Sequence, residues 1–303
     1  MSRDRSHLVL VNPSAGGGRV RDLLPRLEGA LRDHGIEHRL VMTTSLQHGI
    51  DEAREAAAAG EVPVVMSGDG LIGQIGGALA GTGVPMGVIP GGRGNDFARV
   101  LGIPTEIPGA IALIASGATR RVDVGEVNGR RFLGIASCGF DSDVNRIANE
   151  TRVVKGDLVY LYAALRGLAA WKPARFEVTL DGSRTEFTGY SVAAANNRAY
   201  GGGMYLAPDA ELDDGRLDVV TTSDVSRLRC LVNLPKVFSG RHVENEEVTV
   251  ARASEVEIAA DRPFAVYADG DHLADLPARI RLLPRTLDVI APAGGALVGP
   301  RRR

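Results

Sequence analysis

The sequence predicts an α/β N-terminal domain built on a parallel, helix-covered sheet, followed by a mostly antiparallel, sandwich-like C-terminal β domain. Two observations carry this prediction. From His7 to Ala115 short apolar runs alternate with stretches of helical periodicity, and the glycine-rich turns follow the apolar runs. From about Val122 apolar runs succeed one another through turns, with one helical stretch among them. The first domain is expected over 1–125, rejoined by a C-terminal segment at 285–303, and the second over 126–284.

His7–Val11 reads as a compact strand ending in the turn-rich loop Asn12–Arg19. Leu23, Leu24, Leu27, Ala30 and Leu31 then recur at helical spacing up to Gly35. Pro25 lies among them, so this helix is kinked or starts late, because proline has no N–H to give and crowds the turn before it. Ile36, His38, Leu40 and Met42 alternate as a strand, Gln47–Ala59 is an alanine-rich helix, and Val62–Met66 is a strand again. The loop Ser67–Gly70 opens a weak helix to Leu79; Met86–Ile89 is a strand leading into Pro90–Gly94, and Asn95–Val100 and Ile107–Ala115 are helices. In the second half, strands are expected at Val122–Val127, Arg131–Ala136, Phe176–Leu180, Glu186–Ala194, Leu217–Thr221 and Val256–Ala259, with a helix at Asp157–Ala170. The run Leu287–Ala291 is expected to return to the first domain.

Composition removes several function classes. A chain of 303 residues, 44% hydrophobic and 24% charged, is long enough for two domains and is no disordered tail. The apolar run Leu158–Trp171 is interrupted by Arg166 and falls short of the ~20 residues that cross a bilayer. The polar stretch Met1–His7 leads directly into a strand, with no secretory apolar region, so a cytosolic location is expected. Cys138 and Cys230 make neither a disulfide framework nor a zinc site, and His48 and His242 lack partners at metal-ligand spacing. A net charge of -2 gives no global attraction to nucleic acid. The anomaly is 38 glycines, well above the usual ~7%.

Those glycines cluster in loops that follow predicted parallel strands: Asn12–Arg19, Ser67–Gly70 and Pro90–Asp96. Such loops gather at the carboxyl edge of the sheet, where ligands bind. Glycine lets backbone N–H groups approach phosphate oxygens, helix N-termini add partial positive charge, and Ser14, Arg19 and Arg93 supply further donors. Gly68, Gly70 and Gly73 formally fit a dinucleotide fingerprint, but a carboxylate at Asp69 repels a pyrophosphate unless a cation intervenes. Asp69, Asp96 and Asp123 are positioned in sequence to organise magnesium, and the set suits a nucleoside triphosphate better than a dinucleotide.

The segments Asn12-Pro13-Ser14-Ala15-Gly16, Ser67-Gly68-Asp69-Gly70, Ile89 through Arg99, Tyr200-Gly201-Gly202-Gly203-Met204, Ala207-Pro208-Asp209-Ala210, Leu212-Asp213-Asp214-Gly215 and Asp269-Gly270-Asp271 occur in this order. Together they resemble the successive motifs of the diacylglycerol kinase catalytic family, with the bacterial soluble lipid kinases as the branch most like it and sphingosine and ceramide kinases as relatives. The resemblance spans about residues 7 to 292. It implies a lipid kinase that uses ATP and Mg²⁺, with its active site in the cleft between the domains and diacylglycerol as the leading acceptor. A sphingoid lipid is an alternative acceptor, and a nucleotide-binding regulatory homologue is an alternative class.

The resemblance assigns nucleotide binding to Asn12, Pro13, Ser14, Gly16, Arg19, Ser67, Gly68, Gly70, Gly92, Arg93, Gly94 and Asn95. It offers two sources for the catalytic base, Asp69 and the turn carrying Asp269 and Asp271. It gives Asp214 a structural magnesium, with Asp96 and Asp123 as further metal acids. Phe140 and Asp143 are implied at the acceptor, although Asp143 equally suits a helix N-terminal cap. The chain departs from the family at Ser67, Leu71, Gly73, Gln74 and Arg93; Arg93 replaces a neutral hydroxyl donor by a charged fork. The partner implied is a lipid at a membrane surface, met peripherally from the cytoplasm, without nucleic acid; a homodimer is left open. The basic stretch Arg227–Arg241, with apolar residues interleaved, reads either as a lipid-facing segment or as a solvated helix face. The terminal Arg301-Arg302-Arg303 would add to such a surface.

Overall fold

A computed structural model describes residues 5–151 and 158–293; the terminal arginines lie outside them. The chain forms two compact units, one reaching to Val124 and resuming at Pro284, the other running from Gly125 to Leu283.

The first unit carries strands β1 (His7–Val11), β2 (His38–Met42), β3 (Val62–Ser67) and β4 (Gly87–Pro90) in a parallel sheet of order β2-β1-β3-β4. Its helices are α1 (Leu24–Asp33), α2 (Leu46–Ala58), α3 (Asp69–Leu79), α4 (Asp96–Leu101) and α5 (Ile107–Ser116). Every residue of β3 and β4 is buried, as expected of parallel strands covered on both faces. One face packs Val9, Val64 and Met66 against Leu27, Leu31 and Ile111 of α1 and α5. Pro25 sits in the first turn of α1, where its missing N–H would have had no partner, so the late start prevails over the kink. Before it, Ala15–Leu23 is a short 3-10 segment in which Gly16, Gly17 and Gly18 take φ of 59°, 74° and 93°, a run that residues with a Cβ do not sustain. The return predicted at Leu287–Ala291 is present: Met86 bridges Val289 in parallel, with the Met86 N–H donating to the Asp288 carbonyl at 2.8 Å and the Ile290 N–H to the Met86 carbonyl at 2.8 Å.

The later strands are β5 (Thr119–Val127), β6 (Arg130–Phe132), β7 (Ile135–Gly139), β8 (Ala174–Leu180), β9 (Ser183–Ala195), β10 (Leu217–Ser223), β11 (Val248–Ala253), β12 (Glu255–Ala260), β13 (Ala265–Ala268), β14 (Asp271–Asp275) and β15 (Ala278–Ile290). They form an 11-stranded sheet among the described residues, ordered β14-β13-β7-β9-β8-β12-β15-β5-β6, with β10 pairing β9 and β11. The pairs β5–β6, β7–β9, β7–β13, β8–β9, β8–β12, β9–β10, β10–β11, β12–β15 and β13–β14 are antiparallel. Helices α6 (Phe140–Glu150), α7 (Leu158–Ala170) and α8 (Arg227–Val237) belong to this unit. Its core includes Phe176, Val192, Val219, Val256, Val266 and Ile280.

The predicted strand Arg131–Ala136 is broken at Leu133–Gly134. Both amides there are taken by the side chain of Asp269 instead of a neighbouring strand, at 2.8 Å each. Strands β11, β13 and β14 lie where none is predicted. They are short, β13 having only four residues, and β11 and β14 are interrupted by exposed polar residues, which weakens the signal.

Candidate functional site

The loops after β1, β3 and β4 meet. The Asn12 side-chain amide donates to the Ser67 hydroxyl at 3.1 Å, and the Gly91 N–H donates to the Ser67 carbonyl at 2.8 Å. A Cβ on Gly92 would stand 2.4 Å from the Gly68 Cα, and one on Gly16 would stand 2.8 Å from the Gly91 carbonyl oxygen. These glycines therefore let three backbones pass at distances that any side chain would prevent. Asn95 takes a left-handed φ of 51°; its side-chain carbonyl accepts the Gly92 N–H at 2.8 Å and its amide returns a bond to the Gly92 carbonyl at 3.1 Å, which closes the third loop. Ser14, Arg19 and Arg93 are exposed on these loops, with the Arg19 Nε donating to the Gly16 carbonyl at 3.0 Å. Pro13, Gly68, Gly70 and Gly94 are half-buried beside them.

Asp69 stands at the first turn of α3 and reaches into the third loop, where its carboxylate accepts the Phe97 N–H at 3.1 Å. Burial raises its pKa above the usual carboxylate range, and the amides of Phe97, Asp96 and Asn95 oppose that shift. The chemical result is a carboxylate held among α4 amides, where the helix dipole favours it, yet biased toward holding a proton.

In the second unit the two acids of the Asp269–Asp271 turn have different work. Asp269, at a left-handed φ of 53°, points inward and clasps the Leu133 and Gly134 amides. Asp271, half-buried at the start of β14, has its pKa raised by burial, with Arg130 opposing. The same Leu133–Gly134 corner is held from behind by Asn196: its side-chain amide donates to the Leu133 carbonyl at 2.8 Å and its backbone N–H to the Gly134 carbonyl at 3.0 Å. Asn197 and Arg198 follow, both 1% exposed or less, with the Arg198 Nε donating to the Ala210 carbonyl at 2.9 Å. Sequence reasoning passed over Asn196–Arg198. Its signal is three polar residues running on from the apolar strand β9.

The acids assigned to magnesium have protein partners. Asp123 is fully buried and accepts the Arg285 N–H at 2.7 Å. Asp96 is buried 3.9 Å from the Arg99 Nε. Asp214 accepts the Arg216 N–H at 2.9 Å and pairs with Arg252, which also lies 3.9 Å from Asp218. Asp218 is buried and pushed up to about 6 by burial, an effect that Arg252 opposes and Asp214, Asp209 and Glu211 reinforce. Among the described residues no three His, Cys, Asp or Glu side chains are grouped to hold an ion.

Of the residues assigned to the acceptor, Phe140 is buried in an aromatic cluster, its ring 5.5 Å from Trp171 and 5.9 Å from Tyr190, both edge-on. Asp143 is paired with Arg146 at 3.2 Å, one helical turn along α6. Between them Asp141 is pushed up to about 6 by burial, with the Ser191 side chain as its opposing hydrogen-bond partner. Burial, with Asp141 nearby, raises the Cys138 thiol to about 12 and the Cys230 thiol to about 11, so both stay protonated and unreactive.

Glycine loops closed on an acid at the edge of a parallel sheet, with a second unit of antiparallel strands, occur here in a chain whose relatives place it among the phosphotransferases. Residues 6–127 match the diacylglycerol kinase catalytic domain, and residues 134–291 match the YegS C-terminal NAD kinase beta sandwich-like domain. The chain belongs to the diacylglycerol kinase family and is a lipid kinase. It is 36% identical over 300 residues to a diacylglycerol kinase of Mycobacterium tuberculosis, covering 95% of each chain. It is 34% identical over 306 residues to a protein of Pseudomonas aeruginosa named "Probable lipid kinase YegS-like", covering 98% of each. The crystal structure of a diacylglycerol kinase from Bacillus anthracis has the same fold, with a TM-score of 0.77 at 24% identity over 98% of this chain and 100% of that one.

Proposed function

We propose that this lipid kinase transfers the γ-phosphate of Mg²⁺–ATP to the hydroxyl of diacylglycerol, giving phosphatidate. The observation that carries this is the closure of three glycine loops around Asp69, which gathers backbone amides, the Ser14 hydroxyl and the Arg19 and Arg93 guanidinium groups at one edge of the first unit's sheet. That edge has the donors a triphosphate needs. In this reading magnesium enters with the nucleotide substrate.

The residues do the work of positioning and neutralisation, which dominates phosphoryl transfer. Backbone amides of the glycine loops hold the phosphate chain, and Arg93 meets the charge that grows on the transferred group. A lipid hydroxyl is far less acidic than any carboxylic acid, so the base takes its proton late, as the new P–O bond forms. Two acids suit that role in this reading, Asp69 and Asp271; Asp269 suits it less, because its carboxylate already accepts two amides. The names of relatives in Mycobacterium tuberculosis and Bacillus subtilis favour diacylglycerol as the acceptor over a sphingoid lipid.

The test is label transfer from γ-labelled ATP to mixed micelles containing diacylglycerol, monoacylglycerol, ceramide or sphingosine, with and without magnesium. Magnesium-dependent label in phosphatidate is expected. Label in none of the lipids despite ATP binding would make the protein a regulatory homologue, and label in the sphingoid lipids alone would replace the acceptor.

A further inference from the structure

Six of the seven large apolar side chains exposed among the described residues lie on α7, α8 or the residue that ends α8: Tyr162, Leu165, Leu228, Leu231, Val232 and Phe238. The concentration is greatest on α8, where Leu228 is 72% exposed, Val232 65% and Phe238 55%, and where no residue is buried. Leu228, Leu231 and Val232 share one face at helical spacing, and Phe238 follows on the same side. A surface helix ordinarily turns such a stripe inward. Here the stripe faces out because polar contacts hold the helix from its other side. The Arg227 guanidinium donates to the Trp171 carbonyl at 2.9 Å, the Asn233 amide to Glu247 at 2.7 Å, and the Tyr205 N–H to the Val237 carbonyl at 2.9 Å.

Charge selects what covers this face. The segments 158–172 and 227–241 contain Arg166, Lys172, Arg227, Arg229, Lys236 and Arg241 and no acidic residue. The acids that reach them from neighbouring segments are Glu247, 3.1 Å from Arg229, and Glu244, 3.5 Å from Arg241. An outward apolar stripe flanked by arginine and lysine is the pattern of a helix lying in a membrane interface, with apolar side chains among the acyl chains and cations at the phosphates. We propose that the α7–α8 face of the second unit docks on an anionic lipid bilayer, with Leu228, Val232 and Phe238 inserted below the headgroups. The proposal deepens the lipid-kinase reading by naming the surface that reaches the membrane; binding to vesicles that contain no acceptor lipid tests it apart from that reading.

The experiment sediments the full chain with vesicles of phosphatidylcholine alone or of phosphatidylcholine with phosphatidylglycerol, neither containing diacylglycerol. Binding to the anionic vesicles, weakened by added salt, is expected. The double variant Leu228→Glu/Val232→Glu should lose at least roughly tenfold of that binding while phosphorylating a soluble short-chain diacylglycerol at the wild-type rate. A second variant, Val232→Trp, should gain a blue-shifted emission on adding anionic vesicles that the wild type lacks; this arm stands even if the double variant folds poorly. Absence of binding by the wild type, equal binding by the double variant, or an unshifted V232W emission would each overturn the proposal. So would light scattering that shows the double variant only dissociating a dimer, with vesicle binding intact. Loss of turnover on the soluble acceptor by the wild type would instead count against the kinase reading alone.

Discussion

The carboxylate of Asp69 accepts the backbone N–H of Phe97 at 3.1 Å, so the acid that follows β3 also closes the loop that follows β4. Ionisation and loop geometry are thereby coupled in one group. Burial raises the pKa of Asp69, and the amides it bonds oppose that rise. Turnover that needs the carboxylate should therefore rise with pH through a limb lying above the ordinary carboxylate range. Asp69→Asn keeps an oxygen for Phe97 and should leave the melting temperature nearly unchanged while lowering kcat by roughly 10²–10⁴-fold and abolishing that limb. A pH profile of kcat for both proteins checks it; a variant that keeps the wild-type limb would move the titration to another group.

The Asp269–Asp271 turn separates structure from chemistry in neighbouring acids. Asp269→Ala removes the partner of two amides and should destabilise the protein by roughly 2–4 kcal/mol, with Asp269→Asn costing less. Urea unfolding followed by fluorescence of Trp171, in the same unit, reads this directly. Asp271→Asn should spare stability and reduce turnover, since its pKa is raised by burial and its carboxylate is not needed to hold Leu133 and Gly134.

Gly92→Ala places a methyl group 2.4 Å from the Gly68 Cα, with backbone on both sides of the contact. One of the two loops has to move. Nucleotide affinity should fall by at least roughly tenfold, more than any loss of overall stability implies, because the displaced loops are exposed while the sheet beneath stays packed. Isothermal titration with a non-hydrolysable ATP analogue, beside a thermal melt, separates the two effects.

Asp141 makes stability depend on pH. Its folded pKa of about 6 exceeds that of an ordinary aspartate, about 4, so the folded state holds the proton more tightly, and stability falls as pH rises across that interval. Above it the cost is fully present, amounting to at most roughly 3 kcal/mol. Asp141→Asn keeps a partner for Ser191 and should raise the melting temperature at pH 7, with the gain shrinking toward zero near pH 4. Melting curves taken across that range decide it.

The first unit was legible because its signals are local. Alternating runs of Val, Leu and Ile mark β1, β3 and β4, and glycines mark the turns that follow them. The convergence of those turns followed from parallel topology alone. The second unit was harder to read because long-range side-chain bonds override local pattern. The break at Leu133–Gly134 is written in Asp269, far along the chain, and nothing near residue 133 announces it. The partners of Asp214 were equally hidden, since Arg252 reaches it from β11, 38 residues along the chain. The outward face of α8 was visible as a pattern in Arg227–Arg241, but whether its leucines were covered depended on what packed against them.

One bridge beside the start of β4 draws its partner from late in the sequence. Met86 takes Val289 as its neighbour, Ala118 receives the Ala291 N–H at 3.0 Å, and Arg121 pairs with Asp288 at 3.0 Å. During synthesis at the ribosome, the glycine loops emerge early, before Met86 has this neighbour. That neighbour arrives only after the whole second unit has been made, so a chain that stalls before Val289 leaves the edge beside Met86 open to pair with a stranger.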